Sequence, residues 1–229
     1  MLTERLITVK NCIENSNITL DVGTDHGYVP ISLINEGRAK KVIAADINKG
    51  PLDNAEKNIR LNGLSDKIEL RLGGGLTPVE KNEADSVIIA GMGGILISEI
   101  LEESIEKAKL VSRLVLQPMN SQEDLRKYLL NNGFKIEKEL LAQENEKIYN
   151  ILLVSPGEDS PYTKESYFYL GKPENFDKNE LTRIYIEKRR KQFNDIINNL
   201  SSAKRDMSEE IAFYKEMLND TEDFYDWFK

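Results

Sequence analysis

The sequence predicts an α/β domain built on a mostly parallel sheet, followed by a helical, coiled-coil-like C-terminal domain. Three observations carry that prediction. Up to about residue 133, short apolar runs ending in acids or glycines alternate with segments of helical periodicity. Two strand-like runs, 134–141 and 148–155, then flank the polar stretch 143–146, which reads as an antiparallel hairpin. From Asp177 onward, apolar residues step by three or four, as in a coiled-coil stripe. The domains are drawn at 1–157 and 158–229.

The elements follow in order. Leu2, Leu6, Val9 and Ile13 recur at helical spacing over residues 2–14. Arg5 lies off that line, where a charge is ordinarily solvated. Residues 18–22 read as a strand, and a loop turns it into a helix that runs to about Asn35 and stops at Gly37. The second strand, 41–46, ends on Asp46. Pro51 suits the first turn of the next helix, which stops at Asn62-Gly63. Residues 67–72 alternate as a strand does, and Gly73-Gly74-Gly75 follows. The continuous apolar run 84–90 fits a central parallel strand covered on both faces. Gly91-Met92-Gly93-Gly94 ends it before a helix over 95–101. Residues 113–116 are the fifth strand. Ser121 is placed to cap the helix after it, with Asp124 three residues on.

Residues 156–173 hold turn residues and four aromatics and read as a linker packed on the first domain. Beyond it, Phe193, Ile196, Leu200, Ala203, Met207, Ile211, Tyr214 and Leu218 form the apolar stripe. Ser201-Ser202 allow a helical hairpin there; one long bent helix is the alternative. Lys188-Arg189-Arg190-Lys191, with Arg183, Lys204 and Arg205, make a basic stretch.

Composition narrows the function. The lone Cys12 excludes an internal disulfide and a cysteine metal cluster, and the lone His26 argues against zinc. No apolar run approaches the roughly 18 residues of a membrane span, and the N-terminus lacks a signal-peptide core. A cytoplasmic protein without metal or membrane is expected. The net charge of -8 speaks against a globally basic nucleic-acid binder but leaves room for a local basic stripe.

The stretch Asp21-Val22-Gly23-Thr24-Asp25-His26-Gly27-Tyr28 carries the chemistry. A strand that stops at an acid and two glycines, then enters a helix, lets a ligand approach the backbone closely. Asp46, one βα unit later, suits the hydroxyls of a ribose. A dinucleotide site wants Gly-x-Gly-x-x-Gly, but Asp25 stands at the middle glycine and would repel a pyrophosphate. A cationic ligand would tolerate it. S-adenosyl-L-methionine has a sulfonium and no phosphate, so the motif looks like the first motif of class I methyltransferases.

Asp21-x-Gly-x-Asp25-His26-Gly27-Tyr28, then Ile89-Ala90-Gly91-Met92-Gly93-Gly94, then Leu116-Gln117-Pro118 together resemble the bacterial TrmK family of tRNA (adenine-22-N1)-methyltransferases. The second motif is the most specific, because Asn/Asp-Pro-Pro-Tyr is common in that slot among amino-methyltransferases. The resemblance is strong to about residue 155 and weaker beyond. It implies a Rossmann-like class I methyltransferase sheet, a C-terminal coiled-coil domain, S-adenosyl-L-methionine as cofactor and tRNA as partner. Carried over by position, Asp21, Gly23 and Asp25-His26 match the family's cofactor loop, and Asp46, Ile47, Gly74, Gly91 and Met92 are the further candidates for cofactor binding. Asp25, His26, Tyr28 and Asn120 would serve catalysis, and Arg5, Gly93 and Gly94 would meet the substrate base. Lys188, Arg189, Arg190 and Lys191 would hold tRNA phosphates.

Two departures stand out. Asp46 replaces the glutamate frequent in the family, with the same chemistry. Gly74 replaces an aspartate that could accept from the adenine amino group. Either backbone groups hold the adenine, or Glu69 or Arg71 compensates, or affinity is lower. Plainer roles also exist: backbone hydrogen bonding for His26, packing for Tyr28, a loop or cap role for Asn120, and a solvated face for the basic stretch. A methyltransferase acting on protein or small molecules, and a non-catalytic cofactor-binding module, are the alternative functions. A monomer is expected.

Overall fold

The computed structural model describes residues 2–203 and 205–229. Lys204, part of the basic stretch, lies outside the described residues. The chain divides into two compact units, Met1–Asp159 and Ser160–Lys229.

The first unit contains helix α1 (Glu4–Asn11), strand β1 (Ser16–Val22), α2 (Tyr28–Asn35), β2 (Ala39–Asp46), α3 (Lys49–Leu61), β3 (Ile68–Leu72) and β4 (Ser86–Met92). It continues with α4 (Gly94–Glu103), α5 (Ile105–Ala108), β5 (Arg113–Pro118), α6 (Gln122–Asn131), β6 (Phe134–Glu144) and β7 (Lys147–Pro156). The strand order is β3-β2-β1-β4-β5-β7-β6. The first five strands pair in parallel and β7 runs antiparallel to both β5 and β6. Val87, Ile88, Ile89, Leu114, Val115 and Leu116 are completely buried, as strands with helices on both faces must be. The strand order reverses between β1 and β4, so a crevice opens beyond their carboxyl ends.

Local chemistry sets several boundaries. The Thr3 hydroxyl caps α1 through Leu6 N, and the helix stops at Asn11, shorter than its periodicity suggests. The expected cap at Ser121 is not made. Its backbone lies in the left-handed region (φ 50°), and its side chain makes no capping hydrogen bond. The short α5 was not foreseen. Arg126 on α6 and Glu139 on β6 form a fully buried ion pair with Nη2 and Oε2 2.6 Å apart.

The second unit holds α7 (Ser166–Leu170) inside the stretch read as linker, then α8 (Glu180–Ser201), α9 (Ser208–Asp220) and α10 (Glu222–Phe228). The stripe breaks after Ser201, so a helical pair replaces the single bent helix. Ala203 lies exposed in the turn, and Phe193 of α8 meets Tyr214 of α9 at 6.0 Å between ring centroids. Phe176 packs between Tyr185 and Phe224.

Candidate functional site

The crevice at the switch point holds a cavity of about 360 Å³, walled by Asp21, Gly23, Asp25, His26, Tyr28 and Gly91, with Arg5 at one side. The β1–α2 loop builds most of it. Gly23 takes φ +78° and donates through its amide to Ala45 O at 2.8 Å, which ties the loop to β2. Gly27 takes φ +70° as the residue before α2, where a side chain would be strained. The tightness explains both glycines: a Cβ on Gly23 would lie 2.5 Å from Met92 Cε, and one on Gly27 3.3 Å from Ala55 Cβ.

Asp21 is 7% exposed and faces this cavity. Burial pushes its carboxyl up to about 6. The Thr24 hydroxyl works the other way, and the Asp46 charge adds to the rise. A cation arriving beside Asp21 would relieve that penalty; a phosphate would worsen it. Asp46 ends β2, half-buried, and its Oδ1 accepts from Asn48 N at 2.8 Å. Beside it, Ile47 is 69% exposed, an apolar side chain held in the open. A Cβ on Gly74 would lie 3.1 Å from Ile47 Cγ2. A side chain at 74 would therefore crowd Ile47. The Gly74 carbonyl accepts from Thr77 N and Oγ1. Arg71 is clamped by Glu69 at 2.8 Å and by Glu83 at 2.6 Å.

On the rim, His26 Nε2 and Asp25 Oδ2 are 3.3 Å apart, and both side chains are open to solvent. The His26 ring stacks on Tyr28 with centroids 5.3 Å apart and planes at 24°. The His26 carbonyl accepts from Asn58 Nδ2 at 2.9 Å. The loop is thus fixed while its side chains stay accessible. Asn120 lies exposed after β5, and a Cβ on Gly93 would fall 2.9 Å from its Oδ1.

Two sequence readings change. Arg5 is not a solvated charge. Its side chain is 17% exposed, its Nε stands 3.7 Å from Glu144, and its guanidinium lies 5.6 Å from the Tyr149 ring centroid. Gly94 does not present backbone to a base. It is buried, and a Cβ there would lie 2.1 Å from Ser121 O, so it is needed for packing. In the second unit, Arg189 and Arg190 are committed to its own structure. Arg189 donates to Tyr169 O at 3.1 Å, and Arg190 pairs with Glu222 at 2.6 Å while lying over Tyr225. Lys188 and Lys191 are exposed.

Gln117 has a place in the site that the sequence did not reveal. It is fully buried at the end of β5, and its Oε1 accepts from Gly91 N and from Arg5 Nη1. An amide closing an otherwise apolar strand was the available signal. Among the described residues, no three or more His, Cys, Asp or Glu side chains group as metal ligands, and no helix is long and apolar enough to cross a membrane.

Comparison with known proteins agrees with this geometry. A family model described as a methyltransferase domain matches residues 2–152. The Bacillus subtilis tRNA (adenine(22)-N(1))-methyltransferase is 36% identical over 162 residues, 70% of this chain and 68% of the relative. A Streptococcus pneumoniae protein solved with S-adenosyl-L-methionine superposes with a TM-score of 0.83 at 34% identity, covering 98% of this chain and 99% of its own. Mycoplasma capricolum TrmK bound to S-adenosyl-homocysteine gives 0.82 at 28% identity over the full length of both chains. The chain therefore belongs to the methyltransferase-domain superfamily and, within it, to the TrmK family of tRNA (adenine(22)-N(1))-methyltransferases.

Proposed function

We propose that this protein transfers a methyl group from S-adenosyl-L-methionine to N1 of adenine 22 in tRNA. The observation that carries the reading is the buried Asp21 carboxylate facing a glycine-walled cavity at the sheet's switch point. That environment suits a cationic, phosphate-free cofactor. When bound, the cofactor supplies an electrophilic methyl group on sulfur. Asp21, Gly23, Asp46, Ile47 and Gly74 would hold it, with Gly91 and Met92 closing the side nearest the acceptor.

Adenine N1 carries its own lone pair, so the protein's main task is alignment. N1 lies on the Watson–Crick edge, and the base must leave any pair to react. Tyr28 offers an exposed ring for the extruded base to stack on. Asn120 and the backbone at Gly93 stand where an adenine edge could be read. After transfer the base is cationic. Asp25 or His26 on the rim receives the proton released from N6. Lys188 and Lys191 of the helical unit contribute phosphate contacts that carry no sequence information. A tRNA substrate also sets the work in the cytoplasm, and the protein acts there as a monomer.

The test is methyl transfer from labelled cofactor to unmodified tRNA, protein extract and metabolite pools, with the modified nucleotide mapped by mass spectrometry. Label in tRNA at N1 of adenine 22 is expected. Label in protein or metabolites alone would replace the reading with a different acceptor. Cofactor binding without transfer to any pool would leave only a binding module.

A further inference from the structure

The pairing of β4 with β5 is irregular: Ala90 pairs with Gln117, Met92 pairs with Pro118, and Gly91 between them is the extra residue. Gly91 has φ +82°. Such a bulge takes an N–H out of the ladder and turns it toward another acceptor. Gln117 supplies it, with its Oε1 3.1 Å from Gly91 N. The same oxygen accepts from Arg5 Nη1. The other end of the amide donates to Pro118 O at 2.9 Å. Two donors at one end and a carbonyl at the other leave a single sensible orientation for the amide.

Arg5 is thereby fixed along one edge. Its backbone N–H is held by Glu144 Oε1 at 3.0 Å. Nε is buried without a hydrogen-bond partner, 3.7 Å from Glu144, and among the described residues Nη2 has none either. Arg5 lines the same cavity as Asp21 and Gly23. A guanidinium anchored through Nη1, with Nη2 making no hydrogen bond, keeps a donor for an anionic oxygen.

We propose that Gln117 is a positioning residue: it ties the Gly91 bulge to Arg5 and so presents Arg5 Nη2 to an anionic oxygen in the cavity. The inference rests on the methyltransferase reading above. That oxygen belongs either to the carboxylate of the cofactor's amino-acid tail or to a phosphate of the RNA. Gln117 touches neither ligand and acts through Arg5.

The experiment uses the full chain and the variants Gln117→Met, Arg5→Met and their combination. Affinity is measured for S-adenosyl-L-methionine and for its decarboxylated analogue, and KM for tRNA. With a carboxylate partner, Gln117→Met weakens S-adenosyl-L-methionine binding about tenfold and spares the analogue. With a phosphate partner, both cofactors bind as in wild type and the tRNA KM rises about tenfold. In either case the double variant is no worse than Arg5→Met alone, and Gln117→Glu, which keeps the oxygen acceptor, recovers most of the loss. Additive losses, equal weakening of both cofactors, or values within about twofold of wild type would overturn the proposal. If Gln117→Met does not fold, wild-type constants for Arg5→Met overturn it as well. A wild-type chain that failed to bind cofactor or methylate tRNA would instead defeat the proposed function.

Discussion

Asp21 and Asp46 stand at the carboxyl ends of adjacent parallel strands, one carboxylate buried in the cavity and the other half-open beside it. Burial, reinforced by the Asp46 charge, raises the Asp21 carboxyl from 3.8 to about 6. The folded chain therefore binds this proton more tightly than the unfolded chain does. The stability it contributes is complete below about pH 4 and is lost as pH rises through about 6. Asp21→Asn should accordingly raise stability at pH 7 by roughly 1–3 kcal/mol while weakening cofactor binding. In wild type, cofactor affinity should fall as the carboxyl is protonated below about pH 6. Melting curves and calorimetry from pH 4 to 8 check both signs; a destabilised Asp21→Asn would show that the carboxylate is a structural asset.

Gly23→Val should abolish cofactor binding. The clash with Met92 Cε, the flexible end of a side chain, could be relieved by a rotation. The backbone at φ +78° could not be relieved for a β-branched residue, and the side chain would enter the cavity. A folded variant with wild-type cofactor affinity would remove this loop from the site.

Asp25→Ala and His26→Ala should lower turnover by about tenfold or more at saturating cofactor, with little change in cofactor affinity. Both side chains are on the rim, within 3.3 Å of each other and open to solvent. Single-turnover rates separate chemistry from binding. Wild-type rates in both variants would reduce the pair to loop structure.

Glu139→Ala should destabilise the first unit by about 3–5 kcal/mol, because it removes the carboxylate that pairs with a fully buried guanidinium on α6. Below its melting transition the variant should bind cofactor normally, since neither Arg126 nor Glu139 lines the cavity. Denaturant unfolding followed by calorimetry tests the pair of statements.

The basic stretch should separate into two kinds of residue. Lys188→Ala/Lys191→Ala should weaken tRNA binding and flatten its dependence on log salt by about 1–2. Arg189→Ala/Arg190→Ala should lower the melting temperature of the helical unit, because these side chains hold Tyr169 O and Glu222. Binding isotherms at several salt concentrations decide it. Equal affinity for the lysine pair and wild type throughout would make those lysines a solvated surface.

The sequence by itself determined the parallel sheet, the hairpin that closes it and the acid-and-glycine loop, because each is written in local periodicity. Runs covered on both faces must be apolar from end to end, as at 87–89 and 114–116. A turn that needs φ > 0 favours glycine, as at Gly23 and Gly27. The TrmK resemblance rested on such local motifs. Only the tertiary structure decided what each polar group faces. The burial that raises the Asp21 carboxyl, the Gly91 bulge that calls for Gln117, and the withdrawal of Arg5 from solvent all join residues far apart in the chain. Arg5 and Gln117 are 112 positions apart. Spacing along a helix could show that Arg5 lay off the apolar line. It could not show that the end of another strand would be waiting there.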